Sequence, residues 1–177
     1  MSAVLILDCE TSGLSPQNAG IVEVAAVAVI DGEVAGSWVS LTWPGYEHLS
    51  RPEHWAVLTN VSRIYAGLLL DAPDVSEAAW ELRRWATGIL GELPLSATSF
   101  NVGFDRAFIA AHAAPLQERL AWQDCLMERA RRALSLPRWP SLATACEALG
   151  VEQSGEHRAL ADAMSAAKLW LALEGKR

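Results

Sequence analysis

Asp8 and Glu10 stand two residues apart where an apolar run, Ala3-Val4-Leu5-Ile6-Leu7, gives way to Thr11-Ser12-Gly13. If that run is a strand, side chains two apart share a face, so the two carboxylates project side by side. Adjacent carboxylates beside an apolar core are costly unless positive charge holds them. A divalent cation supplies that charge. Thr11, Ser12 and Gly13 then make a turn whose backbone can lie close to a ligand. Taken alone, the stretch from Asp8 to Leu14 also reads as a strand ending in a solvated acidic turn.

Two later stretches add to it. Asn101-Val102-Gly103-Phe104-Asp105 follows the strand-like run Leu95 to Phe100, and Asp105 begins a helix. Asp162 is the lone acid of an apolar, alanine-rich stretch, with His157 five residues before it. Four acids could therefore converge, the first two at the carboxyl end of a strand, where ligand sites of α/β sheets gather. An all-oxygen donor set prefers Mg²⁺ or Mn²⁺ to zinc. Two such ions about 3.5–4 Å apart stabilise the attacking and leaving oxygens of an in-line displacement, which suits phosphodiester hydrolysis. Histidine is the side chain best suited to proton transfer near neutral pH, and His157 is the candidate for it. A histidine without such neighbours is more often structural.

In order and spacing, Asp8-Cys9-Glu10-Thr11-Ser12-Gly13-Leu14, Asn101 to Asp105, and His157-Arg158-Ala159-Leu160-Ala161-Asp162-Ala163 resemble three motifs of one family. It is the DEDDh (DnaQ-like) family of 3′→5′ exonucleases, which includes the bacterial proofreading subunit, RNase T and oligoribonuclease. The resemblance runs from Asp8 to Asp162. It implies an α/β, RNase H-like fold, a mixed five-stranded sheet flanked by helices. It also implies Asp8, Glu10, Asp105 and Asp162 as ligands of two divalent ions, Mg²⁺ or Mn²⁺, with His157 activating the water. The His157-to-Asp162 spacing marks the histidine branch; a related branch uses a tyrosine four residues before its acid. By the same resemblance Thr11 contacts the terminal nucleotide, Leu14 wedges against its base, and Asn101 fixes the loop presenting Asp105. Phe104 packs near the terminal sugar or base, or is a core residue behind Asp105. Two departures bear on substrate preference rather than activity. Thr98-Ser99-Phe100 stands where many relatives carry a histidine, and Ser12 replaces a commoner threonine.

The expected function is metal-dependent 3′→5′ exonuclease activity on single-stranded ends, DNA ahead of RNA, releasing nucleoside 5′-monophosphates. The nearest alternative is an exoribonuclease of the RNase T or oligoribonuclease type. That choice rests on fit around the 2′-hydroxyl, which no residue here decides. A non-catalytic nucleic-acid-binding or polymerase-associated subunit is a separate class, and the presence of all five chemical positions weighs against it. The partners expected are single-stranded 3′ ends and a polymerase or repair assembly.

The 177 residues, 51% hydrophobic, suit one folded exonuclease domain with a sizeable core. The first apolar run is short, lacks a basic leader and ends at Asp8, so it does not read as a signal peptide. No apolar stretch is long enough to span a membrane. Cys9, Cys125 and Cys146 have no metal or redox spacing, and a reducing, cytoplasmic setting is expected. Little follows the last helix, so neither a tethering segment nor a polymerase domain is expected. A net charge of −7 is unusual for a phosphate-binding protein. Two divalent ions would bring about +4 to the site. The one basic cluster, Arg129, Arg131, Arg132 and Arg138, reads as a solvated helix face ahead of a strand-guiding patch.

Three strands must open the chain. The second covers Ile21 to Ile30, and Asp31-Gly32 turns it into an antiparallel third, Val34 to Thr42. Glu23 is expected to face outward or lie at an edge. Residues 43–71 carry Trp43, Trp55, His48 and His54 and read as an irregular covering layer or lid. Two histidines six apart lack the further ligands of a zinc site. Asp74 to Leu90 is a helix with a capping box and a glycine stop at Gly91. A fourth strand covers Leu95 to Ser99. A helix from Asp105 to Ala114 is stopped by Pro115, and Trp122 to Met127 is a short fifth strand. Helices follow over Ser141 to Leu149 and Arg158 to Leu173. Trp85 and Trp170 are expected in the core, and Trp43, Trp55 and Trp139 in loops, free to stack on bases or meet a protein.

Overall fold

A computed structural model describes residues 2–91, 94–155 and 157–175. Strand β1 (Ala3–Thr11) is flanked by β2 (Ile21–Ile30) on one side and β4 (Leu95–Thr98) on the other. Outside these lie β3 (Glu33–Leu41) and β5 (Leu120–Trp122), giving the order β3-β2-β1-β4-β5. The β1–β2 and β2–β3 pairs are antiparallel, whereas β1–β4 and β4–β5 are parallel. The Asp31-Gly32 turn carries positive φ at both positions (48° and 87°), matching the twist of a tight hairpin.

Alternation along β1 sorts its side chains between two cores. Leu5, Leu7 and Cys9 pack with α3 (Val75–Leu90) and α4 (Val102–His112), together with Leu116 of α5 (Ala114–Gln117). Val4 and Ile6 face the opposite layer, built from α6 (Leu126–Ala133), α7 (Leu142–Leu149) and α8 (Ala159–Glu174). The small residues of α8, Ala159, Ala163, Ala166 and Ala167, are fully covered and bring the helix close to the sheet. Asp8 and Glu10 continue the Val4–Ile6 face and therefore point toward α8.

Residues 43–71 form a third, smaller core at one end of the sheet. A 3₁₀ turn (Tyr46–His48), α1 (Pro52–Val57), a π-helical turn (Leu58–Ser62) and α2 (Ala66–Leu69) bury Leu49, Leu58, Ile64 and Leu69 against Val22. The covering layer expected from the sequence is thus a packed one. Among the described residues, no helix is long and apolar enough to cross a membrane.

The helix boundaries follow their caps. Asp74 accepts from the Glu77 N–H while the Glu77 carboxylate accepts from the Asp74 N–H, and Gly91 ends α3 at φ 85°. Three expectations need correction. The fifth strand lies at Leu120–Trp122, before rather than within Trp122 to Met127. Pro115 does not stop α4, which ends at His112. It sits in the first turn of α5, where its missing N–H costs nothing. Glu23 is neither outward nor at an edge: it is 1% exposed in the middle of the sheet.

Candidate active site

The β1–β2 register slips between Glu10 and Thr11, and this bulge ends the strand at the turn closed by the Ser12 N–H to Gly20 O bond of 3.0 Å. Asp162 lies in the first turn of α8, which packs across β1 and β2. Asp8, Glu10 and Asp162 each place a carboxylate oxygen within 4.8 Å of the other two. His157 lies two residues before the start of α8, with φ 57°, and its backbone N–H donates to Asp162 Oδ2 at 3.2 Å. Asp105, in the first turn of α4, is 3% exposed. Its Oδ1 accepts the Cys9 N–H at 3.0 Å, beyond the last residue of β1 that pairs with β4. All five residues line one cavity of about 330 Å³, walled also by Asn101, Phe104, Gln153 and the start of α7.

Four carboxyls in so small a space oppose one another's ionisation. Removal from water holds Asp8 well above the ordinary carboxyl range, and Asp105, Asp162, Glu10 and Glu23 push it the same way. Burial likewise raises Asp105, from 3.8 to about 7, against the bond it accepts from Cys9. Glu10 is raised by burial and held back by the Ser62 hydroxyl, His157 and Arg158. A cation would relieve this strain directly, and an all-oxygen donor set with mutual repulsion fits Mg²⁺ or Mn²⁺.

The ladder also sets Glu10 directly opposite Glu23, a like-charge pairing that destabilises a sheet unless each group is compensated. Separate partners do so. Ser62 Oγ donates to Glu10 Oε2 at 2.6 Å. Arg158 grips Glu23 through Nε (3.2 Å to Oε1, 3.0 Å to Oε2) and through Nη2, and the Ala159 N–H donates to Oε2 at 2.8 Å. The last bond also caps the N-terminus of α8, where negative charge is favoured. None of Ser62, Glu23 or Arg158 stood out as a site residue. A charged residue inside the apolar run Ile21 to Ile30 was the available signal.

The residues expected to touch substrate divide. Asn101 is exposed on the cavity wall and makes no side-chain cap of α4; Phe104 is half-buried there, tilted against Phe108 at 4.9 Å. Thr11 and Leu14 lie on the adjoining turn, outside the wall. Thr11 is buried with its hydroxyl donating to Gly13 O at 2.7 Å, while Leu14 is 88% exposed. Three histidines surround that turn. His54 is buried against Gly13, and the ring of His48 meets His112 edge-on at 4.9 Å. His112 Nε2 in turn contacts the Pro16 carbonyl at 3.0 Å. The arginine cluster is largely engaged within the fold. Arg129 is buried between Glu174 and the Trp170 ring, Arg131 covers Trp139, and Arg132 pairs with Asp124 and Glu128. Trp85 and Trp170 are partly buried against the two main cores.

Comparison with known proteins agrees with this geometry. A family model described as an exonuclease, RNase_T, matches residues 5–170. The PolC-type DNA polymerase III of Staphylococcus saprophyticus is 32% identical over 105 residues, 59% of this chain and 6% of the polymerase. That of Staphylococcus aureus is 31% identical over the same shares. The chain therefore spans a small part of the curated relatives it matches. The structure of Exonuclease X in complex with 5′ overhanging duplex DNA is 25% identical at TM-score 0.69, covering 98% of this chain and 92% of that one. E. coli Exonuclease I in complex with a dA16 oligonucleotide is 20% identical at TM-score 0.72, over 99% and 41%, and shows a shared fold. With the family match running from β1 into α8 across every one of the convergent acids, the chain belongs to the DEDDh (DnaQ-like) family of 3′→5′ exonucleases.

Proposed function

We propose that this protein removes nucleotides one at a time from the 3′ end of single-stranded DNA, releasing nucleoside 5′-monophosphates in a reaction that needs divalent metal. The observation that carries the reading is the convergence of Asp8, Glu10, Asp105, Asp162 and His157 on one cavity. Asp8, Glu10 and Asp162 would hold Mg²⁺ or Mn²⁺, with Asp105 completing the set. When bound there, divalent ions would stabilise the negative charge that develops on the scissile phosphate. The protein's own groups do the rest. His157 is exposed at the mouth of the cavity, within reach of water, and would take its proton. Its backbone N–H to Asp162 fixes the segment that presents the ring. Leu14 would wedge against the terminal base, and Asn101 and Phe104 would line the terminal nucleotide. DNA is preferred to RNA because Exonuclease X, matched over nearly its full length, is seen with DNA. Residues 1–177 are read as a single exonuclease domain, and the three free cysteines suit a reducing, cytoplasmic setting. A polymerase or repair assembly is the proposed partner class.

The test is a gel assay of 5′-labelled single-stranded DNA and RNA of matched sequence with Mg²⁺ or Mn²⁺. EDTA and Asp105→Ala serve as controls. A ladder shortening from the 3′ end and lost in both controls is the expected result, with DNA the faster substrate. Faster RNA cleavage would transfer the assignment to an exoribonuclease. Intact strands of both kinds from a folded, metal-loaded protein would leave a nucleic-acid-binding role.

A further inference from the structure

The segment least legible in the sequence touches the acidic cluster directly. Ser62 is completely buried, and its hydroxyl lies 2.6 Å from Glu10 Oε2, within the range of an O–H donor on an ionised carboxylate. It closes the π-helical turn Leu58–Ser62, and the chain then reverses at Arg63, a non-glycine residue with φ 53°. Both features cost conformational energy and recur at functional positions. The turn is held on each side. Leu58 and Ile64 are 1% and 2% exposed in the small core over Val22, and the Ile64 N–H donates to Leu58 O at 3.0 Å. A second tether joins the same layer to the end of β1. Ser12 Oγ donates to His48 O at 2.8 Å and accepts the Gly20 N–H at 3.1 Å. The Ser62 hydroxyl thus has little freedom to retreat, and Glu10 is held at one of its two oxygens.

We propose that Ser62 is a positioning residue of the cation site: by bonding Glu10 Oε2 it fixes the orientation of the carboxylate beside Asp8 and Asp162, so that cation affinity depends on the packing of residues 46–69. This rests on the metal-dependent reading above. An aspartate or glutamate on a metal is ordinarily fixed by such an outer hydrogen bond, and its loss costs about 10–100-fold in metal affinity. A serine that merely satisfied its own burial would change the stability of the small core and leave cation binding alone.

Isothermal titration of Mn²⁺ into the full chain separates the two roles, at a temperature where circular dichroism shows each variant folded. Ser62→Ala is expected to weaken Mn²⁺ binding by about tenfold or more, while Ser62→Thr, which keeps the hydroxyl, stays within about threefold of wild type. Ser62→Cys, close in size but a weak donor, gives a second route to the same loss if the alanine variant does not fold. A loss smaller than that range in both donor-deficient variants overturns the assignment of Ser62 while leaving the metal site intact. Wild-type protein that takes up no Mn²⁺ overturns the metal-dependent reading itself, and this proposal with it.

Discussion

Arg158→Ala should destabilise the protein well beyond an ordinary surface substitution. The guanidinium side chain is 53% exposed, yet it holds a Glu23 side chain that is only 2% exposed. Removing it takes away the contacts from Nε and Nη2 and leaves the carboxylate with the Ala159 N–H at 2.8 Å. Breaking a fully buried ion pair costs about 3–5 kcal/mol, most of it from the charge left behind. Water can reach the space vacated by a half-exposed guanidinium, so a loss of about 2 kcal/mol is expected, below the fully buried case. For a chain of this size that lowers Tm by about 4–8 °C. If the stranded charge is the cause, adding Glu23→Gln should recover about half of the loss, because the amide carbonyl still accepts from Ala159 and no ion is buried. Thermal and urea unfolding of wild type, Arg158→Ala and the double variant in EDTA would measure this. A single variant within about 0.5 kcal/mol of wild type, or a double variant less stable than the single one, would mean that a stranded Glu23 charge is not what destabilises the fold.

Two further outcomes follow from the site. Asp105 binds its proton more tightly in the folded chain, up to about 7, than the 3.8 of a free carboxyl. Its contribution to metal-free stability is therefore complete below about pH 3.8 and is lost as pH rises through about 7. In EDTA, unfolding scans should show Tm falling over that interval, with a shallower fall in Asp105→Asn. Mn²⁺ should stabilise more at the upper end, where the ligands are deprotonated; an Asn variant with the wild-type slope would exclude Asp105 as the source. Leu14, at 88% exposed, packs on little in the free protein, so Leu14→Ala should leave Tm unchanged. Covering a leucine against a base is worth about 1.5 kcal/mol or more, so KM for a short single-stranded oligonucleotide should rise about tenfold. An unchanged KM would remove Leu14 from the substrate site.

What the sequence settled alone rests on local geometry. Asp8 and Glu10 share a face because strand side chains alternate, and the structure keeps them on the Val4–Ile6 face. Asp74 with Glu77 and Gly91 bound α3 through bonds between residues a few positions apart, and Asp31-Gly32 makes its hairpin for the same reason. Motif order was also legible, and with it the family. Where a local signal is weak or has two meanings, the sequence does not decide the element. A three-residue edge strand has no periodicity to detect, and a proline can begin a helix as readily as end one.

Tertiary structure alone decided how the acids are held. The partners of Glu10, Asp105 and Glu23 lie 52, 96 and 135 positions away, and no local pattern encodes them. Glu23 shows why. A charge within an apolar strand is usually at the surface, because burial without a partner is prohibitive. Its partner exists only once α8 folds back across β2 and brings Arg158 and the Ala159 N–H to it. Ser62 is the same case: an ordinary serine in an unpatterned loop until a π-helical turn, anchored by Leu58 and Ile64, delivers its hydroxyl to the carboxylate of Glu10.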